Sequence, residues 1–417
     1  MNWITSPLDF LFNLSEWYVS AIIGTGFFTY YLLQVVKQPG RHDVILCGSK
    51  LFVNIFPILV CSDGKFKDFL SLHLPILQEK YWPTLWCFES RLQTAFANVL
   101  RSLYPKVEYW RETLKLSDGG QLALDWLEEG CPTNAPIIII LPGLTGDSQS
   151  QYIRCLALSA NRMKLRIVVL NYRGLGGMSL KTPRTYNAAN FEDLSEAVRH
   201  VKILNPGIPV AAVGISMGGL VLGNYLASQQ TLSEKTLVAA MVISTPWNVF
   251  KAMDSLEKPV LNLMLNRYLT SGFFSFINRV KHDDMLQGPW CMEDILKCKT
   301  VREFDSSYTA KQFGYKDVSD YYANASIHDK LHKIEVPMLC LSARDDPIQP
   351  YEGIPVEEAS KSKYVAIVIT QYGGHIGFLE GLFPARRDEY ICRLFTQYFN
   401  GIFTSGSELL AAISKSD

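Results

Sequence analysis

From about residue 105 onward, short apolar runs alternate with stretches of helical spacing. Eight runs read as strands: Val107–Leu116, Gln121–Leu127, Ile137–Leu141, Arg166–Asn171, Val210–Gly214, Leu237–Ser244, Pro337–Ser342 and Tyr364–Thr370. The first two flank Ser117-Asp118-Gly119-Gly120, a hairpin-type turn. Segments at about 150–163, 190–204, 217–229, 352–361 and 385–399 predict helices between the later strands. Continuous apolar strands separated by helices are covered on both faces. The pattern therefore predicts a mostly parallel, eight-stranded α/β sheet with helices on both sides.

The rhythm breaks between Ser244 and Pro337, where about ninety residues carry Trp247, Phe250, Met264, Phe273, Phe274, Trp290 and Phe304. A connection of that length needs helices of its own. We expect a helical cap over a site, at about 247–330. Ahead of the alternating body lies Trp17 to Val36, twenty uncharged residues between Glu16 and Lys37. At about 1.5 Å per residue such a helix matches the ~30 Å hydrocarbon layer. Residues 1–16 contain no Lys or Arg, unlike a signal peptide, and aromatic residues stand at both ends of the run. A permanent transmembrane anchor is expected. Lys37, Arg41 and Lys50 follow it while Asp9 and Glu16 precede it, a small bias placing the body on the cytoplasmic side. Residues 44–61 are apolar but interrupted by Lys50, Asn54 and Pro57, which favours a membrane-grazing or core-packed segment over a second span. The expected organisation is a short segment at 1–16, the anchor at 17–36 and an aromatic-rich preface at 37–104. The catalytic body follows at 105–400, and a fraying tail at 401–417.

Charge changes the picture by exclusion. Lys+Arg and Asp+Glu both number 40, so no basic excess exists to neutralise phosphates, and nucleic acid is not an expected partner. Charged residues make up 19%, against about 25% in ordinary soluble domains, and the apolar run accounts for part of the deficit. The nine cysteines are odd in number and lack C-x-x-C or metal-ligand spacing, so free thiols are expected. No cofactor or metal is expected, and no protein partner is identifiable.

The chemistry centres on Gly214-Ile215-Ser216-Met217-Gly218, a G-x-S-x-G motif between the fifth strand and a helix. A serine there occupies a tight turn whose flanking positions cannot carry Cβ atoms. A serine hydroxyl needs a base, which a carboxylate orients in turn. In the α/β-hydrolase fold the order is Ser, acid, His, on successive C-terminal strand ends. The seventh run leads into Arg344-Asp345-Asp346-Pro347-Ile348-Gln349-Pro350, and the eighth into Gln371-Tyr372-Gly373-Gly374-His375. Of seven histidines only His375 follows a strand in this way. Asp346 is the favoured acid because it precedes Pro350 by four residues, with Asp345 as the alternative. Backbone N–H groups of Leu144, in Leu141-Pro142-Gly143-Leu144-Thr145-Gly146, and of Met217 are the expected oxyanion donors. No nucleotide fingerprint or zinc-hydrolase pattern is present.

These motifs, in this order, resemble the membrane-anchored α/β-hydrolase-domain proteins, in particular the animal subgroup numbered one and three. The resemblance also rests on Tyr81-Trp82-Pro83-Thr84-Leu85-Trp86-Cys87, Asn171-Tyr172-Arg173-Gly174, Thr182-Pro183-Arg184-Thr185-Tyr186 and Tyr372-Gly373-Gly374-His375-Ile376-Gly377-Phe378. It implies an N-terminal anchor, the triad Ser216, Asp346 and His375, and a phospholipase or esterase acting on glycerophospholipids such as phosphatidylcholine. Single-pass residence in the endoplasmic reticulum or another endomembrane is expected. Family members are usually drawn with the body beyond the membrane from the short N-terminus, opposite to the charge bias, so topology stays open. Relatives also make or cleave medium-chain acyl esters, leaving acyl transfer and carboxylesterase activity as alternatives. The H-x-x-x-x-D transferase pattern is not matched, since Glu380 stands where the aspartate would be. An alternative of another class is a catalytically inactive, membrane-tethered binding protein.

Overall fold

A computed structural model of the chain describes Thr29 and residues 56–229, 236–280, 286–382, 384 and 389–414. The anchor expected at 17–36 therefore lies, Thr29 apart, outside the described residues. Among the described residues no helix is long and apolar enough to cross a membrane.

All eight expected strands form, as β2 (Trp110–Lys115), β3 (Gln121–Leu127), β4 (Ile137–Leu141), β5 (Arg166–Asn171), β6 (Val210–Ile215), β7 (Ala240–Ile243), β8 (Met338–Ala343) and β9 (Val365–Thr370). The count of eight is corrected to nine. Ile58–Val60, at the end of the interrupted apolar stretch, pairs antiparallel with β9 as β1. Three residues beside Pro57 are too few to show a strand period. The sheet order is β1-β9-β8-β7-β6-β4-β5-β3-β2, with β4 through β9 parallel and both edges antiparallel. The chain passes from β4 outward to β5, then returns across β4 to β6 and continues the other way. Loops after β4 and β6 consequently diverge, opening the crevice in which such sheets place their sites.

Side-chain alternation builds two cores. Ile137, Ile139 and Leu141 face one cluster while Ile138 and Ile140 face the other. The preface supplies α1 (Lys65–His73) and α2 (Ser90–Ser102); α3 (Gln151–Arg162), α4 (Glu192–Leu204) and α5 (Met217–Ser228) follow β4, β5 and β6. Between β7 and β8 run α6 (Val249–Leu256), α7 (Leu261–Val280), α8 (Met292–Lys297), a π-helical turn at Asp305–Thr309 and α9 (Val318–Ala325). Then come α10 (Val356–Lys361) and α11 (Tyr390–Ser414).

The tail does not fray at Asn400. α11 continues to Ser414, with Ile402, Leu409 and Ile413 buried. Gly401 permits its close approach to α1, since a Cβ there would lie 2.9 Å from Cβ of His73. Burying each aliphatic side chain is worth about 1.5–3 kcal/mol. Deleting residues 401–417 should therefore lower the urea midpoint by several kcal/mol equivalent. An unchanged midpoint would show that the last turns of α11 contribute nothing to the fold.

Candidate active site

Ser216 stands between β6 and α5 at φ 53° and ψ −117°, a conformation costing an L-residue about 1–3 kcal/mol. Its N–H donates to Ile243 O at 2.8 Å, so the β6–β7 ladder runs to the serine itself. The neighbouring glycines are sterically required. A Cβ on Gly214 would sit 2.6 Å from Gly218 C, and one on Gly218 would sit 2.6 Å from Pro142 O. The missing Cβ atoms allow β6, α5 and the loop after β4 to converge.

The structure brings Ser216, His375 and Asp346 together. Nδ1 of His375 donates to Asp346, 2.9 Å from Oδ2 and 3.2 Å from Oδ1. The carboxylate can only accept, so Nε2 is left to accept from the Ser216 hydroxyl, at 2.9 Å. Asp346 Oδ1 also accepts from the N–H groups of Ile348 and Gln349, at 2.8 and 3.0 Å. His375 and Asp346 are both buried. Asp345 turns away from the imidazole and accepts from Gly374 N–H at 2.9 Å. It caps the turn before His375, and its Oδ2 is buried without a partner. Burial, with the charge of Asp346 beside it, pushes its carboxyl up to about 8.

Leu144 and Met217 both line the cavity that Ser216 opens into. Gly143 N–H is taken by the Tyr152 hydroxyl at 3.0 Å. Among the described residues neither the Leu144 nor the Met217 N–H has a partner, as an oxyanion site requires. Met217 also begins α5, whose positive end favours a developing anion. Beneath this loop Asp125 accepts from Ser148 Oγ at 2.6 Å and Asn171 Nδ2 at 2.9 Å, and pairs with Arg111. Tyr172 donates to Pro142 O at 3.1 Å. Gly174, at φ +73°, leaves room for Phe276 and Val280 of α7. The Asn-Tyr-Arg-Gly motif thus supports the loop after β4 and seats the helices above it.

The cavity, about 490 Å³, runs under those helices. Val249, Met253, Leu256, Leu265 and Leu269 give it an aliphatic wall. Asp305 interrupts the wall. Desolvation pushes its carboxyl up to about 7, against hydrogen bonds from Thr309 and Tyr322.

Sequence reasoning missed the residues that hold the histidine loop. Arg101, fully buried, donates to Ile376 O at 2.6 Å and Gly377 O at 2.8 Å while pairing with Glu389. Thr94 accepts from His375 N–H at 2.9 Å, and Gln93 bonds both the N–H and the carbonyl of Leu379. All three lie on α2, so the preface braces the His375 loop. The signal was present only as the Tyr81–Cys87 motif, which lies close by: Thr84 N–H and the Tyr81 hydroxyl also donate to Leu379 O.

Two expectations follow. Arg101→Met strands Glu389 and should cost about 3–5 kcal/mol. The double change Arg101→Met, Glu389→Leu should recover the share lost to the stranded carboxylate but not kcat, because Ile376 and Gly377 still lack their donor; full recovery of kcat would show the clamp to be structural only. Asp345 binds a proton in the folded state that the unfolded chain releases. Stability from the neutral form is fully present below the ordinary value of 3.8 and is lost as pH rises toward about 8. Asp345→Asn keeps an acceptor for Gly374, so it should raise the urea midpoint near pH 8 and leave it unchanged well below pH 4. Equal shifts at both would remove ionisation as the cause.

A family model described as the alpha/beta hydrolase family matches residues 138–387. The chain is 43% identical over 360 residues to phospholipase ABHD3 of Mus musculus, covering 85% of this chain and 86% of that protein. Protein abhd-3.2 of Caenorhabditis elegans is 35% identical over 343 residues, 81% of this chain and 89% of that protein. Monoacylglycerol lipase ABHD2 of Mus musculus is 27% identical over 365 residues, 83% and 85%. A solved esterase of Pyrococcus furiosus is 15% identical, with a TM-score of 0.46 over 71% of this chain and 91% of that one. The extended match to the ABHD3 proteins, on a chain whose family model spans β4 to beyond the histidine loop, makes this protein an ester-hydrolysing member of the alpha/beta hydrolase family, in the ABHD3 subgroup.

Proposed function

We propose that the chain is a membrane-anchored serine hydrolase that cleaves an acyl ester of glycerophospholipids, phosphatidylcholine-type lipids in the first instance, through an acyl-enzyme. The observation that carries this reading is the Ser216–His375–Asp346 relay opening into an aliphatic cavity of about 490 Å³. That volume lies within the ~300–1,000 Å³ of ordinary ligand pockets. The mouse relative's name, phospholipase ABHD3, supports the lipid class. The uncharged run at 17–36 serves as the anchor, in an endomembrane, and zero net charge suits a neutral or zwitterionic lipid better than an anionic polymer.

Catalysis proceeds in two halves. As Ser216 Oγ attacks the ester carbonyl, its proton passes to His375 Nε2. Asp346 holds Nδ1–H and stabilises the imidazolium. The carbonyl oxygen becomes an oxyanion received by the Leu144 and Met217 N–H groups, each such donor being worth about 10²–10³ in rate. His375 returns the proton to the departing alcohol oxygen, leaving the acyl group on Ser216. Water then attacks this ester, gives its proton to Nε2, and the fatty acid leaves as Ser216 is reprotonated.

A fluorophosphonate probe should label the wild type and not Ser216→Ala, which should also lose about a thousandfold or more of its phosphatidylcholine hydrolysis. Equal labelling of both would overturn the assignment of the nucleophile. Asp346→Asn should cost about 10⁴ in kcat while Asp345→Asn stays within tenfold. The reverse order would make Asp345 the triad acid.

A further inference from the structure

The two helices that flank the cavity mouth carry their polarity inside out. On α2 the buried positions are Ser90, Gln93, Ala97 and Arg101, while Leu92, Phe96, Val99 and Leu103 just past its end are exposed. Their spacing of four, three and four residues sets these apolar side chains in one stripe about 16 Å long. The first half of α7 does the same: Asn262, Asn266 and Thr270 are buried, and Leu261, Met264 and Tyr268 are exposed. Ordinary surface helices present polar residues to water. Arg91 Nε donates to Asn262 Oδ1 at 2.8 Å and ties the two helices together. Trp86 extends the α2 stripe, packing edge-on to Phe96 with ring centroids 5.5 Å apart.

We propose that these stripes form a platform that lies on a lipid bilayer, so that the substrate ester reaches Ser216 from the membrane without crossing water. This deepens the function proposed above and rests on it. Three observations select a bilayer as the occupant. First, the platform borders the cavity where it meets the surface: Thr94 and Asn98 of α2 and Leu265, Tyr268 and Leu269 of α7 line it, and Tyr268 is itself exposed. A second protein seated there would cover the entrance, whereas a bilayer supplies the substrate through it. Second, neither helix contains an acidic residue, and Arg267 and Arg279 are exposed on α7. Such a face meets phosphate head groups without repulsion, and exposed Trp and Tyr are the side chains favoured at a membrane surface. Third, the described body begins at Phe56, twenty residues after Val36 ends the uncharged run. At about 3.3 Å per residue this connection reaches about 65 Å at most, enough to let the platform settle on the bilayer that holds the anchor.

The test uses the full chain reconstituted into phosphatidylcholine vesicles, with two substrates. Val99→Glu and Met264→Glu should keep their rate on a water-soluble short-chain ester, p-nitrophenyl butyrate, within twofold, and lose about tenfold or more on the vesicle lipid. Contact is read separately from catalysis by tryptophan quenching with lipids brominated near the carbonyl end. Trp86→Phe should remove part of the quenched emission, and Val99→Glu should reduce quenching to the same degree. Unchanged vesicle rates and unchanged quenching in the glutamate variants would overturn the platform. So would a cross-linked dimer that Val99→Glu dissolves, which would make a second copy the occupant. If the wild type shows the Trp86 quenching yet leaves vesicle lipid intact, the lipid-hydrolase reading fails while the docking surface stands. Should Val99→Glu lose both activities through misfolding, Met264→Glu and the Trp86→Phe quenching still decide.

Discussion

Ser216 is held at φ 53°, and the rest of the catalytic architecture follows from the convergence that this turn demands. A strained residue persists only where its surroundings over-determine it. Here the strain is offset by the β6–β7 hydrogen bond behind the serine, by α5 ahead of it, and by glycine backbones that let Pro142 and Gly218 approach. The same convergence aims the Met217 N–H and brings the loop after β4 within reach, so the Ser216 hydroxyl and the Leu144 and Met217 N–H groups are positioned by one steric fact. The histidine is set by a different part of the chain. Its loop follows β9, but its backbone is pinned by α2, so two independently built halves must meet at a 2.9 Å contact.

This division explains the arrangement of polar residues in the preface. α2 gives its polar side to the protein because the loop it braces exposes carbonyls and N–H groups that water cannot reach. Buried backbone groups require partners, and Arg101, Gln93 and Thr94 supply them. The apolar side of the helix is then left outward. Polarity at the catalytic loop and greasiness at the surface are two results of a single helical register.

How much of this could be read from the chain depends on whether the signal was local. Strands buried on both faces are continuous apolar runs, and their order fixed the positions of Ser216, Asp346 and His375, which the structure brings together. The choice between Asp345 and Asp346 was only half legible, since adjacent carboxylates differ in direction rather than in type. β1 was hidden because three residues carry no period. The last helix reads as ending near residue 399 with a fraying tail at 401–417, whereas α11 runs on to Ser414 and Gly401 serves packing against His73. α2 was not anticipated within the aromatic-rich preface, for its burial runs against its hydropathy. Arg101 touches a carbonyl 275 positions away, and no local pattern reports a contact of that separation.

That separation also sets an order of events during synthesis. When β7 has emerged from the ribosome, the serine turn and the loop after β4 are already present in the nascent chain, yet His375 and its brace are not joined. Only when β9, the loop after it and Glu389 have left the exit tunnel can α2 close on its target and Arg101 lose its water. The triad therefore closes last, and a half-made chain carries the strained serine turn with no imidazole to take its proton.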